Sequence, residues 1–276
     1  MRVALAQIIS GRDLATNMSI LERESRRAKA GGANMVVFPE ASMRAFGNSL
    51  LDIAEPLDGP WASRVRSVAA ALEIVVVAGM FTPGSPTGAD ASARPAAGKV
   101  RNTLLATGPG VETGYDKVHL FDAFGFLESD TVDPGTEPVT FDAGGLTFGL
   151  ATCYDIRFPA LFTANAERGA DANIVCASWG SGPGKVEQWQ LLARGRALDS
   201  TTYVLACGQG DPATQQGVPA KPGAPTGVGH SAVVSPFGEV LDELDGAPGL
   251  LFADLDAALV KEARQKLPVL ANRRDF

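Results

Sequence analysis

The chain has 276 residues, 45% of them hydrophobic and 20% charged, a balance that supports a large buried core and excludes a disordered chain. Its formal net charge of −7 leaves no broad basic surface for gripping phosphate backbones, which excludes nucleic acid as the main partner. No apolar run approaches the ~20 residues of a membrane span, and the opening MRVALAQIIS lacks the basic region, long apolar core and cleavage site of a secretory signal, which points to the cytoplasm.

Residues 3–8 read as a buried strand, followed by a helix over 13–30 that the Gly31-Gly32 pair closes. The run 35–38 is the next strand. Asp58 or Gly59 starts a second helix reaching Leu72, with Pro60 in its first turn, and 74–81 follows as an apolar strand. The segment 82–100, rich in Gly, Pro, Ser and Ala, is a loop, and 102–107 and 113–116 form a further strand pair. The layout then restarts with strand 146–152, helix 159–168 opened by Pro159, strand 173–177, helix 186–200 and strand 203–207. Strands at 231–234, 239–244 and 250–254 and a helix over about 256–266 complete the pattern. Strand and helix alternate through the chain twice, which predicts two mixed sheets face to face with helices outside, an αββα sandwich of α/β class. Residues 1–276 read as one domain, with the core at about 1–256 and a C-terminal helix and tail at 257–276. The polar segment 209–229 is too long for an ordinary connector and is either a mobile lid or a plain insertion.

In GLATCYDIRFP an apolar strand ends at Cys153 and polar residues begin at once, so the thiol sits where a chain turning towards a helix presents a side chain to a cleft. A thiol near helix-terminal N–H groups and a cation ionises more easily, and the thiolate is the attacking species. The run MVVFPE places Glu40 in the same position beyond another strand, and ligands of open α/β sheets gather at the strands' carboxyl ends. Lys117, in YDKVHLF, ends a third strand; held near a carboxylate and a thiol, it stays charged and offers N–H donors to an oxyanion. Histidine is the commonest base for a thiol, so His119 or His230 could instead build a Cys/His hydrolase or acyltransferase site. The two histidines and scattered cysteines show no metal-ligand spacing, and an odd cysteine count argues against a disulfide framework. Cys176 and Cys207 lie inside apolar strands and read as inert core.

Taken together, VVFPEAS, YDKVHLF and TCYDIRFP resemble the three ordered motifs of the nitrilase superfamily of carbon–nitrogen hydrolases, and the likeness runs from MRVALAQI to LPVLANRRDF. The resemblance implies a Glu-Lys-Cys triad of Glu40, Lys117 and Cys153, with Glu128, ahead of Asp133-Pro134-Gly135, as a second glutamate that assists the lysine. CYDIRFP, ASWGSGPGKVEQWQLLARGRALDS and GHSAVVSPFGEV look most like the Nit amidase branch, which includes omega-amidases and deaminated glutathione amidases. The branch implies an amidase rather than a nitrile hydrolase, with no cofactor, a small amide substrate and a homodimer or higher oligomer. On this reading Glu40 deprotonates Cys153, and Lys117 and the N–H of Tyr154 hold the oxyanion. A thioester then forms, and ammonia leaves. Arg157 binds a substrate carboxylate or else braces the turn with an internal acid, and Tyr154 and Trp179 line the pocket or pack in the core. A catalytically silent oligomeric scaffold is the remaining alternative.

Overall fold

The computed structural model describes residues 1–85, 98–123, 125–215 and 223–274. The elements run β1 (Arg2–Gln7), α1 (Leu14–Ala30), β2 (Met35–Val37), α2 (Pro60–Leu72), β3 (Val75–Pro83), β4 (Val100–Gly108), β5 (Val111–Asp116), β6 (Asp122–Ala123) and β7 (Phe126–Leu127). The second half contains β8 (Thr140–Ala143), β9 (Leu146–Thr152), α3 (Pro159–Glu167), β10 (Ala172–Ala177), α4 (Lys185–Ser200) and β11 (Tyr203–Gly208). It ends with β12 (Ala232–Val234), β13 (Val240–Glu243), β14 (Gly249–Asp254), α5 (Ala257–Lys266) and α6 (Val269–Asn272).

Among the described residues two sheets of six strands form, ordered β14-β1-β2-β3-β4-β5 and β13-β12-β11-β10-β9-β8, with β6 and β7 as a separate small pair. In each large sheet three neighbouring strands are parallel, β1-β2-β3 in one and β9-β10-β11 in the other, and antiparallel strands flank them. Alternation along a strand assigns each residue to a face. Val3 and Leu5 of β1 join Phe148 and Leu150 of β9 in the core between the sheets, whereas Ala4 and Ala6 join Leu21 of α1 and Trp61 and Val65 of α2 in the outer layer. The architecture is thus the αββα sandwich that the alternating pattern predicts.

Local chemistry sets the helix ends. Asp13 caps α1 by accepting the Thr16 N–H at 2.7 Å, and Pro60 and Pro159 stand in the first turns of α2 and α3, where no N–H is needed. β3 and β4 extend past the sequence-based bounds because they pair antiparallel out to Pro83 and Val100, inside the segment read as a loop. Residues 86–97 of that loop, 216–222 of the 209–229 segment, and 275–276 of the tail lie outside the described residues. The described ends of the 209–229 segment are tied together, with Gly229 N–H donating to the Gln209 carbonyl at 2.8 Å. Among the described residues no helix is long and apolar enough to cross a membrane.

Candidate active site

Three strand ends converge. Glu40 follows β2, and Ala41 after it adopts a left-handed backbone at φ 59° that turns the chain out of the sheet. Gly79 of β3 permits this turn, since a Cβ there would stand 2.6 Å from Ala41 N and 2.8 Å from Glu40 Cα. Lys117 follows β5, and its backbone is fixed on both sides, its N–H donating to the Asn102 carbonyl at 2.9 Å and its carbonyl accepting from Gly135 N–H at 2.7 Å. The glycine of the Asp133-Pro134-Gly135 run lies so close to the Asp116 carbonyl that a side chain would not fit.

Cys153 comes from the opposite sheet, at the end of β9, where it opens a short 3-10 helix, Cys153–Arg157, with φ at 47°. A left-handed residue other than glycine is strained, and the buried Asp155 carboxylate ties the turn that holds it. Asp155 accepts the Thr152 N–H at 2.8 Å, the Tyr115 hydroxyl at 2.6 Å and the His119 N–H at 2.8 Å.

At the centre lies a buried ammonium between two buried carboxylates. Lys117 Nζ donates to Glu40 Oε1 at 3.2 Å and to Glu128 Oε1 and Oε2 at 3.1 and 2.8 Å. Burial by itself would lower the affinity of Lys117 for its proton, but the charges of Glu40 and Glu128 outweigh it and hold the ammonium well above the usual lysine range. Burial pushes the Glu40 carboxyl up, and the Lys117 charge opposes that rise without cancelling it. The Cys153 thiol is also raised well above its ordinary value, by burial and then by the negative charge of Glu40. The resting sulfur is therefore a thiol that needs a base at hand.

Two groups that sequence reasoning missed complete the arrangement. Asn102, fully buried on β4, donates from Nδ2 to Glu40 Oε1 at 2.7 Å and to Glu128 Oε1 at 3.3 Å. The Ser178 N–H, just past β10, donates to Glu40 Oε2 at 2.7 Å, while the Ser178 carbonyl lies 3.8 Å from Cys153 Sγ. One residue thus spans the carboxylate and the thiol. Asn102 stands in a polar stretch, Arg101-Asn102-Thr103, that gives it no distinguishing signal, and a backbone donor leaves none either.

Glu40, Lys117, Glu128 and Cys153 line one cavity of about 40 Å³, together with Arg157, Trp179 and Lys185. Arg157 lies over the Trp179 ring at 5.1 Å and donates to Gln188 Oε1 at 2.7 Å. Among the described residues no carboxylate pairs with it, so the internal acid considered for bracing this turn is absent. Burial and the nearby Arg157 charge lower the Lys185 ammonium from its ordinary value.

Of the two positions considered for Tyr154, aromatic packing is the one seen. Its ring is not among the residues lining this cavity and packs edge-on against Phe121 and Phe158 at 5.2 and 5.4 Å, with Arg157 over it at 5.8 Å. Neither histidine is among the residues lining this cavity. His119 Nδ1 pairs with Asp155 at 2.7 Å and its ring stacks on Phe158, while His230 Nδ1 pairs with Glu243 at 2.9 Å. Cys176 and Cys207 are buried in β10 and β11, as expected of core thiols.

The carbon-nitrogen hydrolase family model matches residues 2–265, nearly the whole chain. The chain belongs to the carbon-nitrogen hydrolase family. A Mycobacterium tuberculosis hydrolase is 53% identical over 281 residues, spanning 100% of this chain and 96% of the relative. The deaminated glutathione amidase of Escherichia coli O157:H7 is 31% identical over 264 residues, spanning 94% of this chain and 91% of the relative. The solved structure of a glutamate-to-glutamine variant of the Nesterenkonia sp. AN1 amidase covers 97% of this chain and 98% of its own, at 26% identity and a TM-score of 0.75. That variant carries the product of Michael addition of acrylamide at its active-site cysteine. As a carbon-nitrogen hydrolase with amidase relatives, the chain is an enzyme of amide C–N bonds.

Proposed function

We propose that this hydrolase cleaves the amide of a small carboxylate-bearing substrate through a thioester on Cys153, releasing ammonia. The observation that carries the reading is the joining of Lys117, Glu40 and Glu128 by hydrogen bonds in one cavity that Cys153 also lines. Glu40, which keeps a carboxylate beside a protonated thiol, takes the Cys153 proton as sulfur attacks the carbonyl. Lys117 and the N–H of Tyr154 stabilise the oxyanion, and Glu128 keeps Lys117 oriented. Glu40 returns the proton to the departing nitrogen, then draws one from the water that opens the thioester and regenerates the thiol. Arg157, stacked over Trp179 with no carboxylate partner among the described residues, supports recognition of a substrate carboxylate.

We further propose that the chain acts as a single hydrolase domain in the cytoplasm, where its free cysteines stay reduced, and that it assembles as a homodimer. Leu191 and Leu198 of α4 and Leu241 of β13 are exposed, and this apolar face supports self-association.

Monoamides of succinic and glutaric acid are expected to yield ammonia with the purified protein. Cys153→Ala should abolish release, Lys117→Ala should reduce turnover by about 100- to 1,000-fold, and His230→Ala should retain it. Absence of both ammonia and a Cys153 acyl adduct by mass spectrometry, across all amides tried, would rule the reading out.

A further inference from the structure

The catalytic cavity is small and it does not end at the thiol. Its volume of about 40 Å³ holds roughly three waters, at ~10–15 Å³ of probe-occupied space each. A second cavity of about 490 Å³ adjoins it, and Phe46, Phe126, Glu128 and Pro225 line both. The remaining walls of the second cavity are mainly apolar, with Leu50, Leu51, Val100, Val132 and Ala224 among them. Arg157 and Lys185 line the first cavity and not the second, so neither of these cations faces the apolar space.

We infer that the second cavity is a leaving-group subsite, and that beside the primary amides that yield ammonia the enzyme takes N-substituted monoamides whose amine half is apolar. The inference rests on the reading of Cys153 as nucleophile and Glu40 as proton donor. In that reaction the departing nitrogen must lie on the Glu40 side of the thiol, because Glu40 supplies its proton. Asn102 and Lys117 join Glu40 directly to Glu128, and Glu128 forms part of the wall between the two cavities. A substituent on nitrogen therefore extends past Glu128 into the apolar space, while the acyl half directs its carboxylate towards Arg157 and Lys185. Burying a butyl or phenyl group there gains binding in proportion to the apolar area removed from water.

The chemistry balances without a co-reactant. Sulfur forms a bond to the carbonyl carbon as the C–N bond breaks, the nitrogen leaves as R–NH2 with the proton from Glu40, and water then converts the thioester to the acid and the thiol.

The test compares glutaric acid monoamides bearing –NH2, –NH-butyl and –NH-benzyl, followed by amine and acid release. The N-butyl and N-benzyl compounds are expected to show kcat/KM at least tenfold above the primary amide. Leu51→Trp, a change at a half-exposed wall position, should reduce kcat/KM for the N-benzyl amide at least tenfold and leave the primary amide within twofold; Leu51→Ala should restore N-benzyl turnover. Turnover of the primary amide alone overturns the subsite, as does a Leu51→Trp variant that loses both substrates equally while remaining folded by circular dichroism. Failure on all three amides overturns the amidase reading, and the subsite with it.

Discussion

A carboxylate that takes a proton from a thiol and later gives one to an amine works best when its proton affinity lies above that of a solvated glutamate, and burial gives Glu40 that affinity. The sign of the pH dependence follows. In the proposed mechanism the free enzyme needs Glu40 ionised, so activity falls as pH drops through its raised pKa, and the acidic limb of kcat/KM should stand above the ordinary glutamate value of about 4.3. The Asn102 amide favours the ionised form by donating to Glu40 Oε1, so Asn102→Leu should move that limb to still higher pH as well as lower the plateau. An unmoved limb in the variant would mean that Asn102 serves packing alone. Ionisation of Cys153 gives no competing limb near neutrality, because burial and the Glu40 charge keep the sulfur protonated there.

At the scale of elements, position at the end of a strand is what aims each reactive group, and this is also what made the site legible. Glu40 and Cys153 each stand where an apolar run stops, and Lys117 ends a predicted strand that an apolar stretch follows, so a shared cleft could be inferred from sequence. Asn102 could not be assigned a role in the same way, because it lies within β4 and its importance comes from which strand pairs beside it. For Tyr154 the strand-end rule left pocket lining and core packing both open, because it locates a residue without fixing the rotation of the 3-10 turn that follows. The short strands β6, β7 and β8 escaped notice for a related reason, being only 2, 2 and 4 residues long and too brief to show a period. Gly79 illustrates how strictly a neighbouring strand supports the carboxylate. Gly79→Ala is expected to displace the Glu40 backbone and lower kcat by roughly 100-fold, the scale of a 1 Å misplacement, with little change in KM. Steady-state kinetics on the folded variant would measure this, and wild-type kcat would show that the turn at Ala41 absorbs the added methyl group.

For the whole molecule, the apolar face formed by α4 and β13 bears on assembly. Leu191 is 69% exposed, an unusual degree for a leucine on a helix that packs its other side into the core. On the proposed homodimer, Leu191→Asp is expected to shift the mass in sedimentation velocity from that of two chains to that of one, while an unchanged mass would exclude this face from the interface. The two sheets meet through polar as well as apolar contacts near the site: Ser178 and Gln209, from the second sheet, hold the carboxylate and the carbonyl of Glu40, which comes from the first. Ribosomal synthesis delivers the base and the ammonium early and the sulfur later. The proposed site therefore has no physical existence until both halves of the chain have folded against each other.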